Sequence, residues 1–221
     1  MKILVADLFS KEGMKDMENS GLTVHYDAGL SGESLAKAMA EFQPNVLVVR
    51  STKVTKEVID ADPKLQMVVR AGAGYDTIDV AHCAALGVYV TNCPGKNAHA
   101  VAELTMGLIL AIDRRLAENV QLLREGRWNK GAYAACTGIK GRTLGVVGLG
   151  SIGQLVVQRA LAFEMHVVVF SRNMKAERMA EELGVQVTDD LGYLLGHSDI
   201  VTFHVPGGKE TADMINKDLL A

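Results

Sequence analysis

The chain reads as an α/β protein with parallel, doubly wound sheets in two domains. Three observations predict this. Short β-rich runs alternate with helix-like segments along all 221 residues, and the connections are short. The glycine turn Gly148-Leu149-Gly150-Ser151-Ile152-Gly153 stands directly between an apolar run at 143–147 and a helix-like run at 154–163. The turn signal Asn92-Cys93-Pro94-Gly95 precedes the longest helical pattern of the chain, at about 98–116. The boundary therefore falls there, giving expected domains at 1–95 and 96–221.

Each element has a local reason. Residues 2–8 read as a strand, 11–20 as a helix and 22–26 as a short strand. Ser31 is a candidate cap for a helix over 32–42, although Gly32 weakens its start. Residues 46–50 form a buried-strand run, Thr55 opens a helix over 56–61, and Pro63 ends it. A strand at 65–69, a helix at 78–86 and a strand at 88–91 complete the first half. The helix at 98–116 is apolar almost all round through Leu110, so it is expected to be buried. The alternation then resumes with strands at 143–147, 165–170, 185–187 and 200–205 and helices at 152–163, 175–183 and 190–195. Two βα units before a switch in strand order make a mononucleotide-binding half.

Bulk properties exclude several classes. An apolar content of 48% is ample for a packed core. A net charge of −3 with both signs dispersed gives no case for nucleic-acid binding. No basic amphipathic arm suggests a membrane surface, and no segment has the length and apolarity of a membrane-spanning helix. The N-terminus enters a strand directly, without the pattern of a secretory signal. Cys83, Cys93 and Cys136 have no metal or redox spacing, and their odd count argues against a disulfide framework. A cytoplasmic setting fits best, and an inert thiol is the expected state of Cys93. His25, His82, His99, His166 and His197 offer no metal pair or triad, so no metal site is assigned.

The glycine turn carries the chemistry. Gly148 would permit the tight bend, Gly150 would let the backbone approach a pyrophosphate, and Gly153 would let the helix pack on the strand. With Ser151 and Ile152, these residues form a candidate phosphate cradle at a helix N-terminus, where free N–H groups and the dipole favour anions. An ordinary βα turn is the bland alternative.

Further stretches share this order: Val49-Arg50-Ser51-Thr52-Lys53-Val54-Thr55, Arg70-Ala71-Gly72-Ala73-Gly74-Tyr75-Asp76, Thr91-Asn92-Cys93-Pro94-Gly95, Ala102-Glu103-Leu104-Thr105, and Lys140-Gly141-Arg142-Thr143-Leu144-Gly145 leading into the glycine turn. Together they resemble the D-isomer-specific 2-hydroxyacid dehydrogenases, and within that family the branch acting on D-3-phosphoglycerate. The likeness runs from about residue 46 to the C-terminus. It implies a flavodoxin-like substrate domain, begun by residues 1–95 and completed by a returning C-terminal segment, and a Rossmann nucleotide-binding domain begun at 96–221. It implies hydride transfer between nicotinamide C4 and C2 of a D-2-hydroxy acid, most like 3-phosphoglycerate in serine biosynthesis. A hydroxypyruvate or glyoxylate reductase, and a non-catalytic nucleotide-sensing corepressor-like protein, remain open alternatives. The helix at 98–116 resembles the family's interdomain helix, which takes part in dimer contacts, so a homodimer or higher homo-oligomer is expected.

Such a reaction needs a held carboxylate, a polarised 2-oxygen and a mobile proton. Gly72-Ala73-Gly74 follows a strand and suits a carboxylate-holding loop, since glycines leave backbone amides open to approach. Arg50 and Arg70 end successive strands, at the edge where open parallel sheets place ligands. A guanidinium can clamp a carboxylate or phosphate, and the resemblance puts the matching arginines near the substrate phosphate. Surface arginines or structural ion pairs are the alternative. Ser51 and Lys53 are weaker candidates. His204-Val205-Pro206 closes the strand at 200–205, and the resemblance lines it along the adenine-ribose side through backbone atoms. His204 reads as structural rather than as a base, lacking a visible carboxylate to orient it. Glu103 reads as a hydrogen-bonded group within the buried helix.

Two departures stand out. The run 167–170 ends in Ser171-Arg172-Asn173, with no carboxylate for a ribose 2′-hydroxyl. A hydroxyl beside a guanidinium welcomes a 2′-phosphate, and Lys175 and Arg178 add positive charge, so NADP(H) is favoured and NAD(H) possible. Ser151 also stands where the family commonly has an arginine, which removes one pyrophosphate contact. Second, the family's catalytic arginine, glutamate and histidine are expected beyond Ala221, together with the returning segment. No catalytic residue is therefore assigned within this chain, and residues 1–221 alone are expected to show negligible turnover.

Overall fold

The computed structural model describes residues 1–171, 174–208, 210–217 and 219, excepting the side chains of Met174 and Lys175. The chain divides into two units, Met1–Lys96 and Asn97–Ala221.

In the first unit, strands β1 (Lys2–Val5), β2 (Thr23–Tyr26), β3 (Val46–Val49), β4 (Met67–Arg70) and β5 (Tyr89–Thr91) alternate with helices α1 (Lys11–Asn19), α2 (Gly32–Phe42), α3 (Lys56–Asp60) and α4 (Val80–Ala85). The strands form a parallel sheet of order β2-β1-β3-β4-β5, the flavodoxin-like winding. The inner strands β1, β3 and β4 are largely apolar without alternation because both faces are covered, whereas the edge strands β2 and β5 are mostly exposed. Leu4, Leu47, Val49 and Val68 pack against Leu35, Met39, Val58 and Ile59 on one face. Ile3, Val5 and Val48 pack against Met17, Leu22 and Val24 on the other. The Ser31 N–H donates to Ser34 Oγ at 3.0 Å, a cap that offsets the weak Gly32 start of α2.

In the second unit, α5 (Ala98–Asp113), α6 (Leu116–Arg124) and α7 (Lys130–Tyr133) lead into β6 (Thr143–Val147), α8 (Ser151–Ala162), β7 (His166–Phe170), α9 (Met174–Leu183), β8 (Gln186–Thr188), α10 (Leu191–Gly196) and β9 (Ile200–Phe203). The parallel sheet has the order β8-β7-β6-β9, which is the first part of the Rossmann winding. Leu144, Val146, Val167 and Val169 pack against Val156, Val157 and Ala160 of α8 and against Ala102, Met106 and Ile109 of α5. Val147, Val168 and Phe170 face Leu194 of α10.

Three expectations need correction. The helix expected over 98–116 ends at Asp113, because Arg115 takes a left-handed φ of 49° and starts a new helix. Burial almost all round does not hold within this unit either. Only Ala98, Ala102, Met106 and Ile109 are buried, while Leu104, Leu108 and Ile112 stay 61%, 54% and 76% exposed. The reason is that α8 covers a single face of α5. Glu103 accordingly lies on an exposed part of the helix, where Arg159 Nη2 approaches its carboxylate at 3.5 Å. Finally, the strand expected over 2–8 stops at Val5; Ala6 N–H still donates to Val48 O at 3.0 Å, and the Asp7 carboxylate then accepts from the Arg50 N–H.

Candidate active site

The sequence-derived candidates fall into two clusters, one per unit, each at the carboxyl ends of its own strands. In the first unit, Arg50 directly follows β3 and Arg70 is the last residue of β4. Asp7, just past β1, organises the Arg50 turn: its Oδ2 accepts from the N–H groups of Arg50, Ser51 and Thr52 at 2.7, 2.9 and 2.9 Å. Partial burial pushes the Asp7 carboxyl up, but the N–H groups of Arg50, Thr52 and Ser51 outweigh it and hold the acid below its ordinary value. The Arg50 and Ser51 side chains are exposed and have no partner among the described residues. Lys53 is likewise exposed.

In the Gly72-Ala73-Gly74 loop, a Cβ on Gly72 would collide with Arg70 Nη1, the far end of a flexible side chain, so glycine there leaves the Arg70 guanidinium its present place. Arg70 Nε is buried without a hydrogen-bond partner. The Gly72 N–H donates to Arg70 O at 2.7 Å. The loop's carbonyls are occupied from the far side: Cys93 N–H donates to Gly72 O at 2.9 Å and Asn92 Nδ2 to Ala73 O at 2.7 Å. The N–H groups of Ala73 and Gly74 have no partner among the described residues, and they are the amides open to a carboxylate.

In the second unit, Gly148 turns the chain out of β6 with φ +97°, a region that disfavours side chains. A Cβ there would also lie 2.9 Å from Val205 Cγ1 and 3.0 Å from His204 O, so the bend runs against the His204-Val205-Pro206 segment. A Cβ on Gly153 would strike Gly148 O, which makes glycine necessary where α8 crosses β6. Gly150 differs from both: it has φ −76°, and no atom of the described residues lies within 4 Å of an added Cβ. Among the described residues no atom demands glycine at 150, and the space beside it suits a bound phosphate group. Gly150 is the N-cap of α8 and provides no side-chain cap to the first-turn N–H groups, which include Ser151 and Ile152. These features fit a dinucleotide pyrophosphate.

His204 is half-buried, its Nε2 lies 3.0 Å from Thr202 Oγ1, and burial pushes its imidazole below the ordinary value. A half-buried ring without an orienting carboxylate among the described residues suits a structural role. Ser171 follows β7 and donates its N–H to Thr188 O at 3.1 Å. Arg172 and Asn173 lie outside the described residues, as does the Lys175 side chain; Arg178 is exposed.

Two residues of these clusters are not evident as site residues in the sequence. Asp7 is a carboxylate closing an apolar run at a strand's carboxyl end, which is a signal that could have pointed to it. Asn92 reads in the sequence only as part of a turn, and its grip on Ala73 O spans two strands and has no local signature.

Residues 106–221 match the family model described as D-isomer specific 2-hydroxyacid dehydrogenase, NAD binding domain. The chain is 39% identical to a D-3-phosphoglycerate dehydrogenase of Methanocaldococcus jannaschii, aligned over 100% of this chain and 41% of that protein. It is 38% identical to a hydroxypyruvate reductase of Thermotoga maritima over 100% of this chain and 70% of the relative. The chain thus spans about two fifths of the phosphoglycerate dehydrogenase it matches. Among solved structures, the TT0316 protein of Thermus thermophilus superposes with a TM-score of 0.88 at 30% identity, covering 100% of this chain and 70% of that one. A NAD-dependent formate dehydrogenase of Staphylococcus aureus in complex with NAD superposes at TM-score 0.84 with 25% identity, and an acyclic imino acid reductase in complex with NADPH and D-Arg at 0.83 with 28%; each match covers 100% of this chain and 70% of the other.

Proposed function

The chain belongs to the D-isomer-specific 2-hydroxyacid dehydrogenases, and from that premise we propose that the protein moves a hydride between a nicotinamide cofactor and a D-2-hydroxy acid, with 3-phosphoglycerate as the substrate. The observation that carries the reading is the open space beside Gly150, between a glycine bend and an uncapped helix start. The cofactor, when bound, supplies the hydride acceptor. Gly148, Gly150, Ser151, Ile152 and Gly153 would hold its pyrophosphate through backbone amides, and His204, Val205 and Pro206 would line its adenosine side. Residues 1–95 would act as the first part of the substrate-binding domain, and 96–221 as the first part of the nucleotide-binding domain. In the former, Ala73 and Gly74 N–H groups would hold the C1 carboxylate, while the Arg50 and Arg70 guanidinium groups and Ser51 would take the phosphate. Two cations at adjacent strand ends favour a phosphorylated acid over an uncharged tail. The T. maritima relative supports hydroxypyruvate reduction as the second reading.

Ser171 and Arg172 favour NADP(H), since no acid is available there to pair with a ribose 2′-hydroxyl and repel a 2′-phosphate. The test is steady-state turnover of the whole protein on D-3-phosphoglycerate, hydroxypyruvate and glyoxylate with both nucleotides. The expected result is the highest kcat/KM on D-3-phosphoglycerate with NADP(H) preferred, and an Arg172→Asp variant shifted toward NAD(H). An unchanged cofactor ratio in that variant rejects the NADP(H) assignment, and the absence of any turnover rejects the activity.

The exposed apolar side chains Leu104, Leu108 and Ile112 recur every fourth residue of α5, and Leu116, Val120 and Leu123 of α6 are exposed as well. Such a surface suits association of two copies of the chain in a homodimer. Light scattering of Leu108→Glu should report a smaller particle than the wild type.

A further inference from the structure

We propose that Asp7 is a positioning residue for acid binding: its carboxylate shapes the Arg50-Ser51-Thr52 turn and consumes the turn's amides, so that an anion is held there by side chains alone. The inference rests on the reading of a D-2-hydroxy acid as substrate. Three successive N–H groups converge on the single oxygen Oδ2 at 2.7, 2.9 and 2.9 Å. Successive amides turned to one point form a concavity that elsewhere captures anions. Here the protein fills it with its own carboxylate, as a permanent internal ligand. Thr52 Oγ1 adds a second tie, donating to Ala6 O at 3.3 Å, so the turn is fastened to the end of β1 by side chain and backbone together.

This arrangement separates two tasks that a phosphate-binding turn usually combines. The backbone of the Arg50 turn is satisfied internally, and it has no amide to offer a substrate. The guanidinium of Arg50 and the hydroxyl of Ser51 remain exposed and unpartnered among the described residues, carried on a turn whose shape is already set. Pre-setting the turn lowers the ordering cost when the acid binds. Removing the carboxylate would leave three amides without their acceptor and a vacated anion-shaped concavity. Asparagine can keep an acceptor oxygen at that place while losing the charge and exchanging the other oxygen for an NH2 group.

The experiment compares the whole protein as wild type, Asp7→Ala and Asp7→Asn, with and without added formate. Two quantities are measured: amide hydrogen exchange at Arg50, Ser51 and Thr52, and KM and kcat for D-3-phosphoglycerate. Losing a group that serves binding alone raises KM and spares kcat, so Asp7→Ala should raise KM about tenfold with kcat changed by less than about twofold. Its three amides should lose protection, formate should restore part of both properties, and Asp7→Asn should fall between. An unchanged KM in Asp7→Ala overturns the proposal, as does a fall in kcat at constant KM. If Asp7→Ala does not fold, the direction of the KM change in Asp7→Asn decides: a rise supports the role and an unchanged value overturns it. A wild type inert on every 2-hydroxy and 2-oxo acid instead sinks the proposed activity; exchange then tests Asp7 alone, and protection equal to wild type in either variant overturns its role.

Discussion

The two units put opposite chemistry at corresponding points of one architecture. In the first, β1 and β3 are neighbours, and the carboxylate that follows β1 fills the amides of the turn that follows β3. In the second, β6 and β9 are neighbours, and the backbone that follows β9 braces the glycine bend after β6 while leaving Gly150 facing open space. Parallel sheets gather turns and helix starts at their carboxyl edges, which makes both places natural anion sites. What differs is who supplies the anion. A protein carboxylate satisfies the turn's amides and leaves its side chains outward, whereas on the proposed reading the amides at the start of α8 would themselves hold the cofactor's pyrophosphate.

The comparison breaks most visibly at Gly153. A Cβ there meets the Gly148 carbonyl, which is backbone and cannot swing aside. Gly153→Val should cost about 3 kcal/mol or more by denaturant unfolding, and titration should find no nucleotide binding. The next effect sharpens the contrast between two glycines. Gly150→Ala should change stability by less than about 0.5 kcal/mol, because its φ is ordinary and no described residue lies within 4 Å of the added Cβ, yet weaken nucleotide binding about tenfold. Gly72→Ala should do the reverse: the Arg70 head must move, so KM for the acid rises while the nucleotide Kd is unchanged.

Smaller effects follow from titration. The folded-state acid of Asp7 lies below its ordinary value, so its stabilisation is complete above that value and is lost as pH falls through the folded one. The stability gap between wild type and Asp7→Asn should therefore be widest near about pH 7 and close below about pH 4, read from denaturant midpoints. The smallest effect concerns His204, whose folded-state value is lowered by burial. Its unfolded form takes a proton first as pH falls, so stability declines from about pH 6.5 downward, and His204→Gln should flatten that part of the curve.

Much of the fold is legible in the sequence because parallel strands buried on both faces are uninterrupted apolar runs, as at 46–49 and 143–147. The glycine turn is legible because it stands directly between an apolar run and a helix-like run, and two of its glycines answer to local needs: Gly148 to its φ of +97° and Gly153 to the Gly148 carbonyl. Other features are not. The break at Arg115 has no proline or glycine to announce it, and α6 and α7 follow in a stretch whose apolar residues stay on the surface. The apolar circumference of α5 suggests burial all round, yet one neighbouring helix covers one face only. At Gly72 the residue type suggests an open approach to the backbone, and only the fold shows that the Arg70 guanidinium lies where a side chain would go.

Order along the chain therefore determined the alternation of strands and helices, the division near residue 95 into two expected domains and the candidate phosphate turn, since each depends on contacts between near neighbours or on a repeating apolar pattern. Tertiary structure alone decided that Asp7 meets residues 50–52 and that Asn92 meets Ala73, contacts that span 43 to 45 residues in one case and 19 in the other. It also decided which glycines are required by the chain and which face open space. A strand's sequence specifies that it will be buried; only the register of the assembled sheet specifies which side chain arrives beside which turn.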